Sequence, residues 1–127
     1  LLGLVVAQSP ASIWDGVYSN AQAGRGAALY QTACGSCHGD KLQGKGQTPA
    51  LAGSDFVMNW SGMTVGDLFD KIQTSMPADK PGSLSREQNA SLIAFLLSAN
   101  KFPYGTDELL SEAERRRQIR FEAAREK

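Results

Sequence analysis

The chain has 127 residues and a formal net charge of zero, from 13 basic and 13 acidic side chains. This length predicts one small domain with extensions and not two domains. The balanced charge gives no indication of nucleic-acid binding. No stretch reaches the roughly 20 apolar residues that a membrane-spanning helix requires, so we expect no transmembrane helix in the mature chain.

The first seven residues, Leu1 to Ala7, are apolar and are typical of the end of a signal-peptide hydrophobic region. Ala7 and Ala11 are small residues near a candidate cleavage point. We interpret residues 1–11 as a signal-peptide remnant and predict export to the periplasm. An ordinary buried N-terminal segment is the alternative. Residues 12–103 then form the main domain, and residues 104–127 form a C-terminal extension.

A helix is predicted over residues 21–32, an Ala-rich stretch that leads directly into a cysteine motif. Gly26 and Tyr30 lie on one face of this helix at i, i+4 spacing. Because a glycine inside a helix costs roughly 1 kcal/mol relative to alanine, Gly26 indicates a close helix contact.

The motif Cys34-Gly35-Ser36-Cys37-His38 is the attachment signature of a c-type haem. The Cys34 and Cys37 sulfurs would form thioether bonds with the two vinyl groups of the porphyrin, and His38 would be one axial ligand of the iron. A thioredoxin-like pair is disfavoured because no βαβ pattern surrounds the motif. A zinc site is disfavoured because the chain has only these two cysteines and this one histidine.

The remaining elements are one loop and two helices. Residues 39–56 are rich in glycine, contain Pro49 and show no sustained period, so they predict a loop. Thr64 and Asp67 predict a capping box at the start of the next helix, which ends at Met76-Pro77. Ser85 and Gln88 predict a second capping box, and this last helix is the most apolar. It ends near Asn100 and Pro103.

The second axial ligand is sought by elimination. His38 is the only histidine, so two histidine ligands from this chain are impossible, and a methionine thioether is the usual partner. Met76 is favoured because it lies on an irregular segment just past a helix. Met58 and Met63 remain alternatives, although they flank Trp60 in a segment more typical of core packing. A five-coordinate haem, which would bind small ligands, also stays open.

Residues 21–102 resemble a class I mono-haem c-type cytochrome. The features that carry the resemblance are Gly26-x3-Tyr30, the CGSCHG motif, Pro49, and Met76-Pro77 before a Leu-rich helix. The resemblance implies an all-α cytochrome c fold, with three to five short helices around one covalently attached haem c. Residues 39–53, 60–64 and 81–85 are similar to the cytochrome subunits and fused haem domains of bacterial quinoprotein (PQQ-dependent) alcohol dehydrogenases.

The same resemblance implies roles for individual residues. In that family the Pro49 position gives its backbone carbonyl to the second nitrogen of the haem histidine, which fixes the orientation of the ring. The helices that carry Gly26/Tyr30 and Leu92/Phe95 are expected to cross closely. Trp60 is a candidate to donate its indole N–H to a haem propionate, with simple core packing as the alternative.

We therefore expect an electron-transfer protein and not an enzyme. Electrons would come from a dehydrogenase donor, such as a quinoprotein dehydrogenase, and would pass to an oxidase or another cytochrome. The alternatives are an obligate haem subunit of a dehydrogenase complex and a five-coordinate haem sensor. Contacts with redox partners of this kind are typically small and transient.

The C-terminal extension carries the densest basic run of the chain, Arg115-Arg116-Arg117, with a helix start predicted at Ser111 and Glu114. Nucleic-acid binding is disfavoured because the run is short and interleaved with glutamate. Composition alone is typical of a solvated extension, and docking to a partner is an alternative. We favour packing on the domain through four apolar anchors, Leu109, Leu110, Ile119 and Phe121.

Overall fold

The computed structural model describes residues 11–109 and 116–124. Five α-helices lie wholly within this part of the chain: α1 (Asn20–Ala33), α2 (Gly35–His38), α3 (Ser54–Trp60), α4 (Val65–Ser75) and α5 (Arg86–Ala99). Two short strands, β1 (Ala11–Ser12) and β2 (Ile119–Arg120), pair in parallel. The prediction of an all-α protein with three to five short helices is confirmed, and the strand pair is a small addition. Across the same ranges, no helix combines the length and the apolar character needed to cross a membrane.

Both predicted capping boxes are present. The Thr64 side chain accepts a hydrogen bond from the Asp67 backbone N–H, and the Asp67 carboxylate accepts one from the Thr64 backbone N–H. Ser85 and Gln88 make the same reciprocal pair at the start of α5. These bonds satisfy backbone donors that a helix start otherwise leaves without partners, so α4 and α5 begin where the sequence predicts.

The predicted loop over residues 39–56 is too long by three residues, because α3 begins at Ser54. Gly53 precedes it with a φ of 101° and no capping side chain, so the usual sequence signal for a helix start is missing. The helix has only seven residues, too few for its apolar residues Phe56 and Trp60 to show a clear period.

The crossing of α1 and α5 is the closest helix contact at the centre of the domain. A Cβ atom on Gly26 would lie 1.9 Å from the Ser91 carbonyl oxygen, so only glycine permits this approach. The rings of Tyr30 and Phe95 pack with their centroids 5.4 Å apart. The predicted close crossing is therefore confirmed, and it fixes the end of α1 from which the cysteine motif continues.

The C-terminal extension packs on the domain. Leu109, Ile119 and Phe121 are buried, which confirms the packing prediction for these three residues. The Ala11 backbone N–H donates to the Gln118 carbonyl at 2.9 Å, so the two ends of the described chain are joined. Residues 1–10 of the predicted signal remnant lie outside the described residues, as do Leu110 and the helix start at Ser111 and Glu114. The division at residues 11 and 103 stays a prediction.

The basic run divides between the core and the surface. Arg116 is buried, and its guanidinium carbon lies 3.4 Å from the centre of the Phe69 ring, a cation–π contact. Arg117 is exposed and forms an ion pair with Asp70 at 3.2 Å. Arg115 lies outside the described residues. Arg116 is therefore packed in the domain, while Arg117 stays at its surface.

Candidate functional site

The end of α1 and the single turn of α2 place the three residues of the cysteine motif. The backbone N–H of His38 donates to the Cys34 carbonyl at 2.9 Å, which makes this segment helical. Cys34 therefore lies on the same helix face as Cys37 and His38, at i, i+3 and i, i+4 spacing. Gly39, with a φ of 92°, then turns the chain away. Two sulfurs and one imidazole are thereby presented from one turn.

The imidazole of His38 is buried and held by the backbone of Pro49. Its Nδ1 lies 2.8 Å from the Pro49 carbonyl oxygen. Because a carbonyl can only accept, Nδ1 carries the proton and Nε2 is the nitrogen left with a lone pair for a metal ion. This is the contact that the resemblance implied. It is present in the structure, while the ligand role of His38 stays a prediction.

The loop that carries Pro49 is fixed by its own backbone bonds. The Gly44 N–H donates to the His38 carbonyl at 2.7 Å, and the Leu51 N–H donates to the Leu42 carbonyl at 2.9 Å. Gly44 has a φ of 79°, and a Cβ atom there would lie 2.7 Å from the Thr48 carbonyl oxygen. The tight turn at Gly44 therefore brings Pro49 back against the histidine.

A crevice opens beside this turn and consists of two adjoining cavities. The larger, of about 600 Å³, is lined by Cys34 and Cys37 on one side and by the loop of residues 76–83 on the other. The smaller, of about 180 Å³, has a largely apolar lining from α3, α4 and α5. His38, Pro49 and Met76 line both cavities. The larger cavity is in the size range that small-molecule cofactors occupy.

The three methionines differ in their positions relative to the crevice. Met76 is partly buried, and its backbone N–H donates to the Ile72 carbonyl at 3.0 Å at the end of α4. Met58 is 65% exposed and Met63 is 42% exposed, and neither is among the residues that line the two cavities. Met76 is therefore the methionine that the structure brings together with His38.

Trp60 lies at the end of α3 and lines the smaller cavity, where it is partly buried. Asn59 and Lys71 line the same cavity. The sequence reasoning missed these two residues, because an amide on a short helix and a lysine on the polar side of α4 are both typical of solvated positions.

The two thiols have different surroundings. Cys34 is buried, and this burial, with a smaller contribution from neighbouring Cys37, raises the pKa of its thiol to about 11. Cys37 is exposed. The structure has them as thiols and not as a disulfide.

The donor set fits a c-type haem. Two sulfurs are placed to hold a porphyrin edge, an imidazole with its other nitrogen already bonded stands beside them, and a thioether sulfur stands in the same crevice. The remaining walls of the smaller cavity are mostly aliphatic and aromatic, as a flat apolar ring requires.

The comparisons with known proteins identify the class. A family model described as cytochrome c oxidase, cbb3-type, subunit III matches residues 21–96, and the chain belongs to this family of cytochrome c domains. The predicted cytochrome c fold is thereby confirmed. A chain in the crystal structure of the sulfane dehydrogenase SoxCD from Paracoccus pantotrophus is similar at 26% identity and a TM-score of 0.56, over 95% of this chain and 68% of that one.

No curated protein matches the sequence. Neither the family match nor the similarity to the SoxCD chain bears on the predicted link to quinoprotein alcohol dehydrogenases, which stays a prediction. What the family supports is electron transfer by a haem-containing cytochrome c domain.

Proposed function

We propose that this protein carries single electrons through one covalently bound haem c with His38 and Met76 as axial ligands. The observation that supports this proposal is the crevice, in which the cysteine motif and Met76 stand together while Pro49 holds the imidazole. When bound, the haem supplies the one-electron chemistry. Cys34 and Cys37 would anchor its edge, and the apolar walls of the smaller cavity would shield the ring from water.

His38 and Met76 perform complementary tasks in this proposal. The Pro49 carbonyl fixes the tautomer and orientation of His38, so that Nε2 faces its target without reorganisation. A neutral thioether such as that of Met76 favours the ferrous state and raises the potential relative to a second histidine. If His38 and Met76 both held the iron, no coordination position would be left for a substrate, so we propose an electron-transfer protein and not an enzyme.

The proposed location is the bacterial periplasm, reached by means of a signal peptide, with attachment through two thioether bonds. The proposed donor is a dehydrogenase, with quinoprotein dehydrogenases as one class, and the acceptor is an oxidase or another cytochrome. The family description names a subunit of a cytochrome c oxidase, which supports a place in a respiratory electron path.

The second candidate is a haem subunit that functions only inside a dehydrogenase complex. The similarity to a chain of SoxCD favours it, because the match covers 95% of this chain. Size exclusion of the native extract separates the two candidates. A free carrier would elute as a small monomeric cytochrome. A subunit would elute together with a dehydrogenase activity. The complex would lose that activity when the subunit was removed.

The test of the proposed function is to produce the chain with a leader peptide in a bacterium that assembles c-type haem. We expect haem that remains on the polypeptide in a denaturing gel, and a ferric spectrum with the weak red band of methionine-to-iron charge transfer. Absence of that band, together with rapid carbon monoxide binding by the reduced protein, would contradict the proposal and favour the five-coordinate sensor.

A further inference from the structure

Residues 116–123 of the C-terminal extension, which we call the clamp segment, lie between two other parts of the chain. On one side the Ala11 backbone N–H donates to the Gln118 carbonyl at 2.9 Å. The Trp14 indole N–H donates to the Glu122 carbonyl at 3.1 Å. These two bonds fix the clamp segment to residues near the start of the described domain.

On its other side the clamp segment pairs with the turn that joins α3 to α4. The Gly62 N–H donates to the Phe121 carbonyl at 2.9 Å, and the Phe121 N–H donates to the Met63 carbonyl at 2.8 Å. The Ala123 N–H donates to the Ser61 hydroxyl at 3.2 Å. Three backbone N–H groups therefore connect the extension to this turn.

The clamp segment also packs on the two helices that the turn joins. The fully buried Phe121 ring meets the Phe56 ring of α3 with their centroids 6.0 Å apart, and Phe56 lines the smaller cavity of the crevice. On α4, a Cβ atom added to Gly66 would lie 2.8 Å from the Cγ atom of Arg117 and 3.2 Å from its backbone nitrogen. The extension is thus in close contact with both α3 and α4.

These two helices supply one wall of the crevice, and α4 ends at Met76. A small molecule that competes with Met76 needs space in the crevice, and movement of α3 and α4 away from His38 would provide it. Such movement would break the backbone bonds of the Gly62 and Phe121 amides and would expose the Phe121 ring. Each of these contacts therefore adds to the free energy of opening.

We propose, on the basis of the proposed function, that the clamp segment keeps the crevice closed to small ligands by restraining α3 and α4. Phe121 is then a positioning residue for Met76. It lines neither cavity, and it acts through the Phe56 ring and through the turn after α3. The extension thereby protects the proposed electron carrier from molecules that would replace its methionine ligand.

The test measures how fast added imidazole binds to the ferric, haem-loaded full chain, followed as loss of the methionine-to-iron band. In this exchange the Met76 sulfur leaves the iron and an imidazole nitrogen replaces it, with no change of oxidation state. Phe121→Ala should bind imidazole about tenfold faster than the parent, because the barrier to opening is lower. Its spectrum before imidazole is added should equal that of the parent, since Phe121 lines neither cavity.

Gly66→Ala tests the same contact from α4 without removing a core side chain. Its methyl group would press on the Arg117 backbone, so imidazole should again bind faster. Gly26→Ala is the matched control, because its methyl group meets the Ser91 backbone at the α1–α5 crossing and not the clamp segment. It should lower stability and keep the parent rate. Equal rates in Phe121→Ala and the parent, or equal acceleration in Gly26→Ala, would overturn the proposal.

Hydrogen exchange measured by NMR is a second readout, and it does not depend on the iron ligand. The backbone amides at positions 62 and 121 should exchange slowly in the parent and faster in Phe121→Ala, whereas those of α1 should keep the parent rates. Fast exchange of the Gly62 amide in the parent would overturn the proposal. A parent without the methionine-to-iron band would instead contradict the proposed function, while exchange at Gly62 would still show whether the clamp segment restrains α3 and α4.

Discussion

The two ends of α1 show how differently one helix can be used. At Gly26 the helix packs against α5 so tightly that a single Cβ atom would lie 1.9 Å from a backbone oxygen. One turn past Tyr30 it ends at Cys34, beside a cavity of about 600 Å³. The first region is filled by the protein itself. The second is a cavity lined by sulfur and imidazole groups, which the proposed haem would fill.

Tyr30 connects these two regions. Its ring packs on Phe95 at the crossing, while its hydroxyl donates to the Gly39 carbonyl at 2.6 Å, just after the cysteine motif. Burial raises the pKa of this hydroxyl to about 12, so it remains a donor at neutral pH. The packed region therefore sets the position of the crevice. Substitutions in the packed region should lower stability, whereas substitutions in the crevice should change the haem spectrum and the potential.

The largest expected loss of stability comes from the C-terminal segment that extends the packed region. Phe121 is fully buried, and its ring meets those of Phe56 and Phe102 at 6.0 and 5.7 Å. Phe121→Ala should lower the free energy of unfolding by about 3–5 kcal/mol. Chemical denaturation measures this loss, and the haem spectrum of the folded protein should be unchanged because Phe121 is not a lining residue of the two cavities.

Tyr104→Ala is the control for this variant, because Tyr104 is 62% exposed and should change stability by less than about 0.5 kcal/mol. Unchanged stability of Phe121→Ala, combined with slower electron exchange with the native partner, would contradict packing and would favour docking as the role of the extension.

The next effect is at the helix crossing. Gly26→Ala inserts a methyl group against the Ser91 backbone, which cannot move like a flexible side chain, and should cost about 1–3 kcal/mol. Gly24→Ala in the same helix has no atom within 4 Å of the added carbon. This control should gain up to about 1 kcal/mol from helix propensity. Thermal unfolding of both variants measures the contrast, and a loss of similar size in both would exclude the close contact as the cause.

A substitution in the crevice should change the spectrum and the potential of the haem more than it changes stability. Met76→Ala should lower stability less than either packing variant, because Met76 is only partly buried. It should keep the haem attached, remove the methionine-to-iron band and lower the midpoint potential, since the thioether that favours ferrous iron is lost. Optical spectra and a redox titration measure these changes.

Met58→Ala and Met63→Ala are the controls for the ligand assignment. Both residues are exposed, and their truncation should leave the spectrum and the potential unaltered. If Met76→Ala kept its band while one of these variants lost it, the ligand role would pass to that methionine.

The parts of the structure that the sequence predicts are those that depend on nearby residues. Both capping boxes join residues three positions apart, and the crossing glycine shows as an interruption of an Ala-rich helix. The start of α3 was missed because Gly53 determines it by backbone conformation and leaves no side-chain signal.

Contacts between distant residues could not be derived from composition or period. The His38 imidazole bonds to the Pro49 backbone carbonyl, an acceptor that every residue carries, so only the resemblance suggested this contact. Arg116 looks like part of a solvated basic run, yet it packs on Phe69, a residue 47 positions away in the chain. Asn59 and Lys71 are placed at the crevice only by the fold, because α3 and α4 line one cavity. The haem ligands themselves stay predictions.

The smallest expected effect is on the surface side of the same basic run. Arg117 pairs with Asp70 at 3.2 Å, but their side chains are 58% and 53% exposed, so water and ions screen the pair. Arg117→Gln keeps the Cγ atom that packs at Gly66 and removes only the charge. We expect a loss of less than about 1 kcal/mol in low-salt denaturation, which vanishes at high salt. A larger, salt-independent loss would show that the pair matters to packing. Unchanged stability with slower, less salt-dependent electron exchange would assign Arg117 to partner attraction, since exposed charges act mainly on association rates.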